Sequence, residues 1–283
     1  MWLLTIAKRL MQTQPMMTYL ARPEGRIAYD ITGDGPLVVL VPGMGDLRST
    51  YRFLVPDLVA AGLTVVSVDL RGHGDSDVGF GSYGDVETAA DLAALLDELA
   101  TPAVVVGNSM GAGAAAYLAA ERPELVRGLV LLGPFVRNGH VSVVQRILMR
   151  VALVRPWIGA AWRSYVPSLY AGRRPEDLAD HVAEISASLK RPGYASAFAT
   201  LARTLDHDPV EHRLADVRTP TLVVMGALDP DFPDPEAEAR WIARTLGGEV
   251  VMVPDAGHYP QAQRPDVVGP AVTGFVTRVA RGA

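Results

Sequence analysis

The chain has 283 residues, 49% of them hydrophobic, with a formal net charge of −5 and a pI near 5.7. That length and apolar content suffice for one large α/β domain or two small ones and exclude a disordered chain, while the dispersal of the 26 basic residues argues against nucleic acid as a partner. The absence of cysteine removes disulfides, thiolate metal sites and cysteine nucleophiles together.

In Met1 to Leu10 an apolar run is followed, not preceded, by Lys8 and Arg9, the reverse of a secretory signal. Residues 1–18 are read as an extension, with Met11, Met16 or Met17 as alternative starts. No stretch reaches the ~18 apolar residues needed to span a bilayer, so a soluble, cytoplasmic protein is expected. From Gly25 onward short apolar runs alternate with helical patterns, which predicts an α/β fold with a mainly parallel, doubly wound sheet of about eight strands. Strands are predicted over 26–32, 37–41, 64–69, 103–107, 128–132, 221–226 and 249–253, and helices over 51–61, 86–100, 108–121, 235–246 and 265–281. The rhythm breaks once. Between Phe135 and Arg218 no strand-like run occurs, and the segment is rich in arginine and aromatic residues. Structureless connections beyond ~15 residues are uncommon, so residues 136–213 are read as a helical cap inserted between strands 6 and 7. The core is then 19–135 together with 214–283.

Four segments carry candidate chemistry, each just after a predicted strand. The first apolar strand runs into Val41-Pro42-Gly43-Met44-Gly45-Asp46, a glycine-rich turn whose backbone can approach a substrate closely. Gly107-Asn108-Ser109-Met110-Gly111 places a serine between two glycines where an apolar strand meets an alanine-rich helix, the G-x-S-x-G pattern of a nucleophile elbow. A serine hydroxyl is a poor nucleophile at neutral pH and needs a base, a group to orient that base, and donors for the oxyanion. The base is expected in Asp255-Ala256-Gly257-His258-Tyr259-Pro260; His73 also follows a strand and is the competitor, whereas His140, His181, His207 and His212 fall in the cap. Asp229 is the expected orienting acid, lying nearest the end of its strand, with Asp231 and Asp234 in the same loop. The backbone N–H groups of Met44 and Met110 are the expected oxyanion donors.

With these residues the chain resembles the α/β-hydrolase fold superfamily, in its capped serine hydrolase branch, over roughly Arg26 to Arg281. The order Ser109, Asp229, His258 matches that family's nucleophile, acid and histidine. Asp69-Leu70-Arg71-Gly72-His73-Gly74-Asp75-Ser76 resembles its D-x-R-G-x-G-x-S segment, which implies a structural role there and demotes His73 as base. Three departures stand out. Pro42-Gly43 replaces the His-Gly often found before the oxyanion residue, so a side chain that often stabilises that loop is missing. Gln263 stands where relatives usually carry an acid, which puts a loop-anchoring contact in question. The nucleophile is serine rather than aspartate, which separates the chain from haloalkane dehalogenases and epoxide hydrolases.

The sequence therefore points to a serine hydrolase acting on a small to medium carboxylic ester or related acyl compound, with no cofactor or metal. Met149, Trp157, Trp162, Tyr165 and Phe198 are candidates for an apolar acyl pocket, against the plainer reading that they pack the cap on the core. The alternatives are a carbon–carbon bond hydrolase of the meta-cleavage-product type on the same triad, and a binder that kept the fold without turnover. A perhydrolase-like side activity is also open. Substrate identity and oligomeric state are not readable.

Overall fold

The computed structural model describes residues 16–139 and 157–281. Its sheet has eight strands, β1 (Met16–Arg22), β2 (Gly25–Thr32), β3 (Leu37–Val41), β4 (Thr64–Val68), β5 (Ala103–Asn108), β6 (Val126–Leu132), β7 (Thr221–Gly226) and β8 (Glu249–Val253). They lie in the order β1-β2-β4-β3-β5-β6-β7-β8, with β1 and β2 antiparallel to their neighbours and the rest parallel. The sheet begins at Met16, inside the segment read from sequence as an extension: β1 pairs along its whole length with β2, and Leu20 is buried.

Among the described residues the α-helices are α1 (Leu54–Ala60), α2 (Asp85–Glu98), α3 (Met110–Glu121), α4 (Ile158–Leu169), α5 (Leu178–Lys190), α6 (Tyr194–Thr204), α7 (Asp208–Arg213), α8 (Pro235–Leu246), α9 (Pro260–Gln263) and α10 (Pro265–Arg281). Strands buried on both faces explain the continuous apolar runs. In β3, Val38 and Leu40 join Leu54 and Leu58 of α1 and Val272 and Phe275 of α10, while Val39 and Val41 join Leu92 of α2, Ala115 of α3 and Ile242 of α8. Period-two alternation thus feeds two cores from one strand, and each fully buried valine or leucine contributes about 1.5–3 kcal/mol.

Helices α4 to α7 lie between β6 and β7 and carry a third core of their own, including Trp162, Val166, Ile185 and Phe198, which closes on Tyr259 and Ala262 beside the last strand. Polar ties reinforce that junction: Asp46 pairs with His181 of α5 at 2.8 Å, both buried, and Arg52 pairs with Asp177 at 2.6 Å. Asp234, grouped with Asp229 and Asp231 in sequence, caps α8 by accepting from the Ala237 N–H. No helix among the described residues is long and apolar enough to cross a membrane.

Candidate active site

Because β3 to β8 run parallel, the segments that follow them emerge at one edge, and all four candidate segments meet there. Ser109 sits between β5 and α3 with φ 56° and ψ −124°, a conformation that L-residues rarely adopt. The turn is possible because its neighbours lack side chains: a Cβ on Gly107 would lie 2.3 Å from the Gly111 carbonyl oxygen, and one on Gly111 would lie 2.5 Å from that of Pro42. The backbone of Ser109 is held by donation to Leu132 and by donations received from Ala112, Gly113 and Phe135. Met110 is the first residue of α3, so its N–H has no partner within the helix. Across from it, Gly43 backs directly on the serine; a Cβ there would be 2.8 Å from Ser109 Cβ.

His258 and Asp229 are both buried and joined by a 2.9 Å contact between Nδ1 and Oδ2, with Asp231 Oδ2 at 3.5 Å from the same nitrogen. Asp231 also donates its backbone N–H to Asp229 Oδ1 at 3.1 Å. With Nδ1 facing two carboxylates, the neutral ring keeps its proton there and leaves Nε2 as the acceptor. Burial pushes the His258 pKa down, but Asp229, and behind it Asp231, push it up by more, so the ring titrates above its ordinary range. The donor atoms of Asp229, Asp231 and His258 lie within 4.8 Å of one another, close enough for a cation, although Nδ1 is already committed to Asp229. Gly133 makes this closeness possible, since a Cβ on it would press to 3.2 Å on His258 Nδ1 and 3.3 Å on Asp229 Oδ2. Asn108 joins the serine turn to the histidine loop by donating to the carbonyls of both Leu132 and His258.

His73 makes no contact with the Asp229 carboxylate that holds His258. Its Nδ1 is 2.9 Å from the Arg71 carbonyl and its Nε2 accepts from the Gly45 N–H at 3.0 Å, so both nitrogens are engaged. The surrounding motif organises a loop: the Asp69 carboxylate receives the backbone N–H groups of Arg48 and Asp75 and pairs with the Arg48 guanidinium, and Ser76 Oγ donates to the Asp69 carbonyl.

The pocket candidates divide. Met149 lies outside the described residues. Trp157 is half exposed, and Phe198 is fully buried among the helices inserted between β6 and β7. Trp162 is buried and donates its indole N–H to the Gly45 carbonyl at 2.8 Å. Tyr165 donates to Asp231 Oδ1 at 2.9 Å. Two aromatic residues absent from the sequence expectation are linked to the histidine: the Phe135 ring lies 5.7 Å from His258, and the Phe232 ring 5.0 Å from Phe135. Their only sequence signal is position, one after β6 and the other in the Asp229 loop.

Gln263 supplies the anchoring contact that its chemistry placed in question. Its Oε1 accepts from the Gly257 N–H at 2.8 Å and from the Tyr259 N–H at 3.3 Å, and its Nε2 donates to the carbonyls of Ala171 and Arg173 at 2.8 and 2.7 Å. An acid could accept from the loop but could not donate to the two carbonyls. Gln263→Glu should therefore lower stability at pH 7 by about 2–3 kcal/mol, the cost of a charge facing unpaired acceptors. Those carbonyls would raise the new carboxyl's folded pKa, so part of the loss should return on acidification through it, as read from urea midpoints at pH 7 and 5.

A family model described as the alpha/beta hydrolase family matches residues 38–271. The chain belongs to that family. Among curated relatives, this hydrolase is 29% identical over 265 residues to 2-(acetamidomethylene)succinate hydrolase of Mesorhizobium japonicum, covering 89% of this chain and 92% of the relative. It is 31% identical over 229 residues to the pimeloyl-[acyl-carrier protein] methyl ester esterase of Neisseria meningitidis, covering 79% and 86%. Among solved structures it resembles a thermophilic esterase of Thermogutta terrifontis at 28% identity and a TM-score of 0.74, covering 95% and 100%. The protein is accordingly a hydrolytic enzyme.

Proposed function

We propose that this hydrolase cleaves a small to medium carboxylic ester, or a related acyl compound, through an acyl-enzyme on Ser109. The observation that carries the reading is the strained Ser109 at the head of α3, whose neighbour Asn108 donates to the His258 carbonyl and so ties the turn to a buried His258–Asp229 pair joined through Nδ1. Ser109 Oγ attacks the carbonyl carbon while His258 Nε2 takes its proton, and the oxyanion forms against the N–H groups of Met44 and Met110. Collapse expels the alcohol, which leaves with the proton from Nε2. Water then attacks the acyl-enzyme with the same base, releasing the acid and restoring the serine. Asp229 holds the Nδ1 proton and stabilises the imidazolium. These steps use the chain's own groups and call on no cofactor. Residues 136–213 act as the cap, and Phe135 and Phe232, whose rings pack 5.0 Å apart with Phe135 against His258, offer an apolar surface suited to an acyl chain. The named methyl ester esterase among the relatives supports an ester as substrate.

The test is hydrolysis of p-nitrophenyl esters of increasing acyl length, together with intact-mass detection of a fluorophosphonate adduct on Ser109. Turnover and a single adduct at Ser109 support the reading, and the preferred acyl length sizes the pocket. Labelling without ester turnover, accompanied by cleavage of a vinylogous diketone, would transfer the same triad to carbon–carbon bond hydrolysis. No labelling and no turnover on either substrate would overturn the catalytic reading in favour of a binder.

The pH dependence follows from the carboxylates around His258. Only the neutral ring can accept the serine proton, so kcat/KM should rise with pH through a midpoint above the ordinary histidine value of ~6.5. Asp231→Asn removes one of the charges that raise the ring, so its rising limb should move to lower pH with the plateau nearly unchanged. A limb that stays in place would remove Asp231 from the site's electrostatics.

A further inference from the structure

Gly45, one residue past the proposed oxyanion donor Met44, is gripped from two sides. Its N–H donates to His73 Nε2 at 3.0 Å, and its carbonyl accepts from Trp162 Nε1 at 2.8 Å. The Trp162 ring also covers the residue so closely that a Cβ on Gly45 would lie 2.4 Å from the indole, and Gly45 itself has φ +75°. The two gripping residues come from different parts of the molecule: His73 follows β4 in the core, and Trp162 belongs to α4 in the inserted helices. Both rings meet the fully buried Phe198 edge-on, at centroid distances of 6.0 and 4.9 Å, so neither can swing away without opening the cap's core.

The tautomer of His73 suits this task. The Arg71 carbonyl can only accept, so Nδ1 carries the proton and Nε2 is left as an acceptor.

We propose that His73 and Trp162 are positioning residues that fix the oxyanion loop by clamping Gly45 between the core and the cap. The proposal rests on the acyl-enzyme reading above, in which the Met44 N–H receives the developing charge. The lever is the planarity of the peptide unit. The Met44 N–H shares its plane with the Gly43 carbonyl, which accepts from the Asp46 N–H at 3.3 Å and so closes the turn over residues 43 to 46. Fixing the N–H and carbonyl of Gly45 fixes the planes on either side of it within that turn, leaving the Met44 N–H little freedom to rotate off the oxyanion. Oxyanion donors contribute only when aimed at the charge as it forms, so loosening the clamp should lower kcat and spare KM. The clamp also makes the inserted helices part of the catalytic geometry, beyond their place as a roof.

The experiment measures kcat and KM on p-nitrophenyl acetate for Trp162→Phe, His73→Phe and His73→Gln, with thermal melts and fluorophosphonate labelling of each. Trp162→Phe keeps the ring and removes only the N–H. We expect it and His73→Phe each to lower kcat about 10-fold or more, with KM within about 2-fold of wild type. His73→Gln should regain most of the loss, because its side-chain oxygen can accept from the Gly45 N–H. The double variant Trp162→Phe/His73→Phe should fall short of the product of the single effects, since both act on one residue. An unchanged kcat in a folded Trp162→Phe, or a His73→Gln as slow as His73→Phe, overturns the clamp. Should His73→Phe fail to fold, Trp162→Phe decides alone. A wild type that neither turns over ester nor takes the phosphonate overturns the underlying acyl-enzyme reading, an outcome distinct from a labelled, active wild type with indifferent variants.

Discussion

Ser109→Ala should lower kcat on p-nitrophenyl esters by about 10³-fold or more while leaving the fold intact. The loss is large because the hydroxyl is the one protein group in the proposed scheme that bonds to the substrate carbon. What remains is the background rate assisted by the oxyanion donors. The fold should survive because everything that holds residue 109 is backbone: donation to Leu132, and acceptance from Ala112, Gly113 and Phe135. Alanine, however, inherits the φ of 56°, a conformation that costs a non-glycine residue of order 1–3 kcal/mol. Ser109→Gly should relieve that cost. It should be equally inactive yet melt a few degrees above Ser109→Ala, the margin being reduced by glycine's larger entropy loss on folding. A glycine variant less stable than the alanine one would show that the turn stores no strain. Equal turnover by wild type and Ser109→Ala would remove the serine from the chemistry.

Much of this architecture is written in local pattern, and what is not local was not readable. Strands β3, β7 and β8 match their sequence expectation because each is a continuous apolar run bounded by turn residues. Strand β1 escaped because the Pro23-Glu24 connection lacks the glycine or asparagine that marks a tight hairpin, and because its first residues, Met16 and Met17, are exposed. The same division holds at the site. Ser109 is legible from five consecutive residues, and Asp229 and His258 from their places after strands. The contacts on Gly45 are not, since they join residues 28 and 117 positions apart, and neither a buried histidine nor a tryptophan announces which carbonyl or N–H it will meet. Gln263 shows a different limit. Reading it as the absence of an acid misses that an amide can accept on one side and donate on the other.

The choice between Asp229 and Asp231 can be settled by the hydrogen-bond geometry of an amide. Asp229→Asn should lower kcat by about 10³- to 10⁴-fold, although it changes a single atom. In the native site Asp229 Oδ1 accepts from the Asp231 N–H and Oδ2 faces His258 Nδ1. An asparagine there satisfies the Asp231 N–H only by placing its oxygen on that side, which turns its NH₂ toward the imidazole. Nδ1 must then accept, the ring proton moves to Nε2, and the nitrogen that should take the serine proton is already occupied. Asp231 softens the loss, because its carboxylate lies 3.5 Å from Nδ1 and can still attract a proton there. Asp231→Asn alone should therefore cost less than about 10-fold at the pH plateau, whereas Asp229→Asn/Asp231→Asn should fall well below Asp229→Asn. Side-chain exposure agrees with that ranking, being 0% for Asp229 and 19% for Asp231, since a carboxylate screened by water orients a histidine less firmly than a buried one. If Asp231→Asn instead proved the more damaging single change, the orienting acid would be Asp231, and Asp229 would hold the loop through the Asp231 N–H.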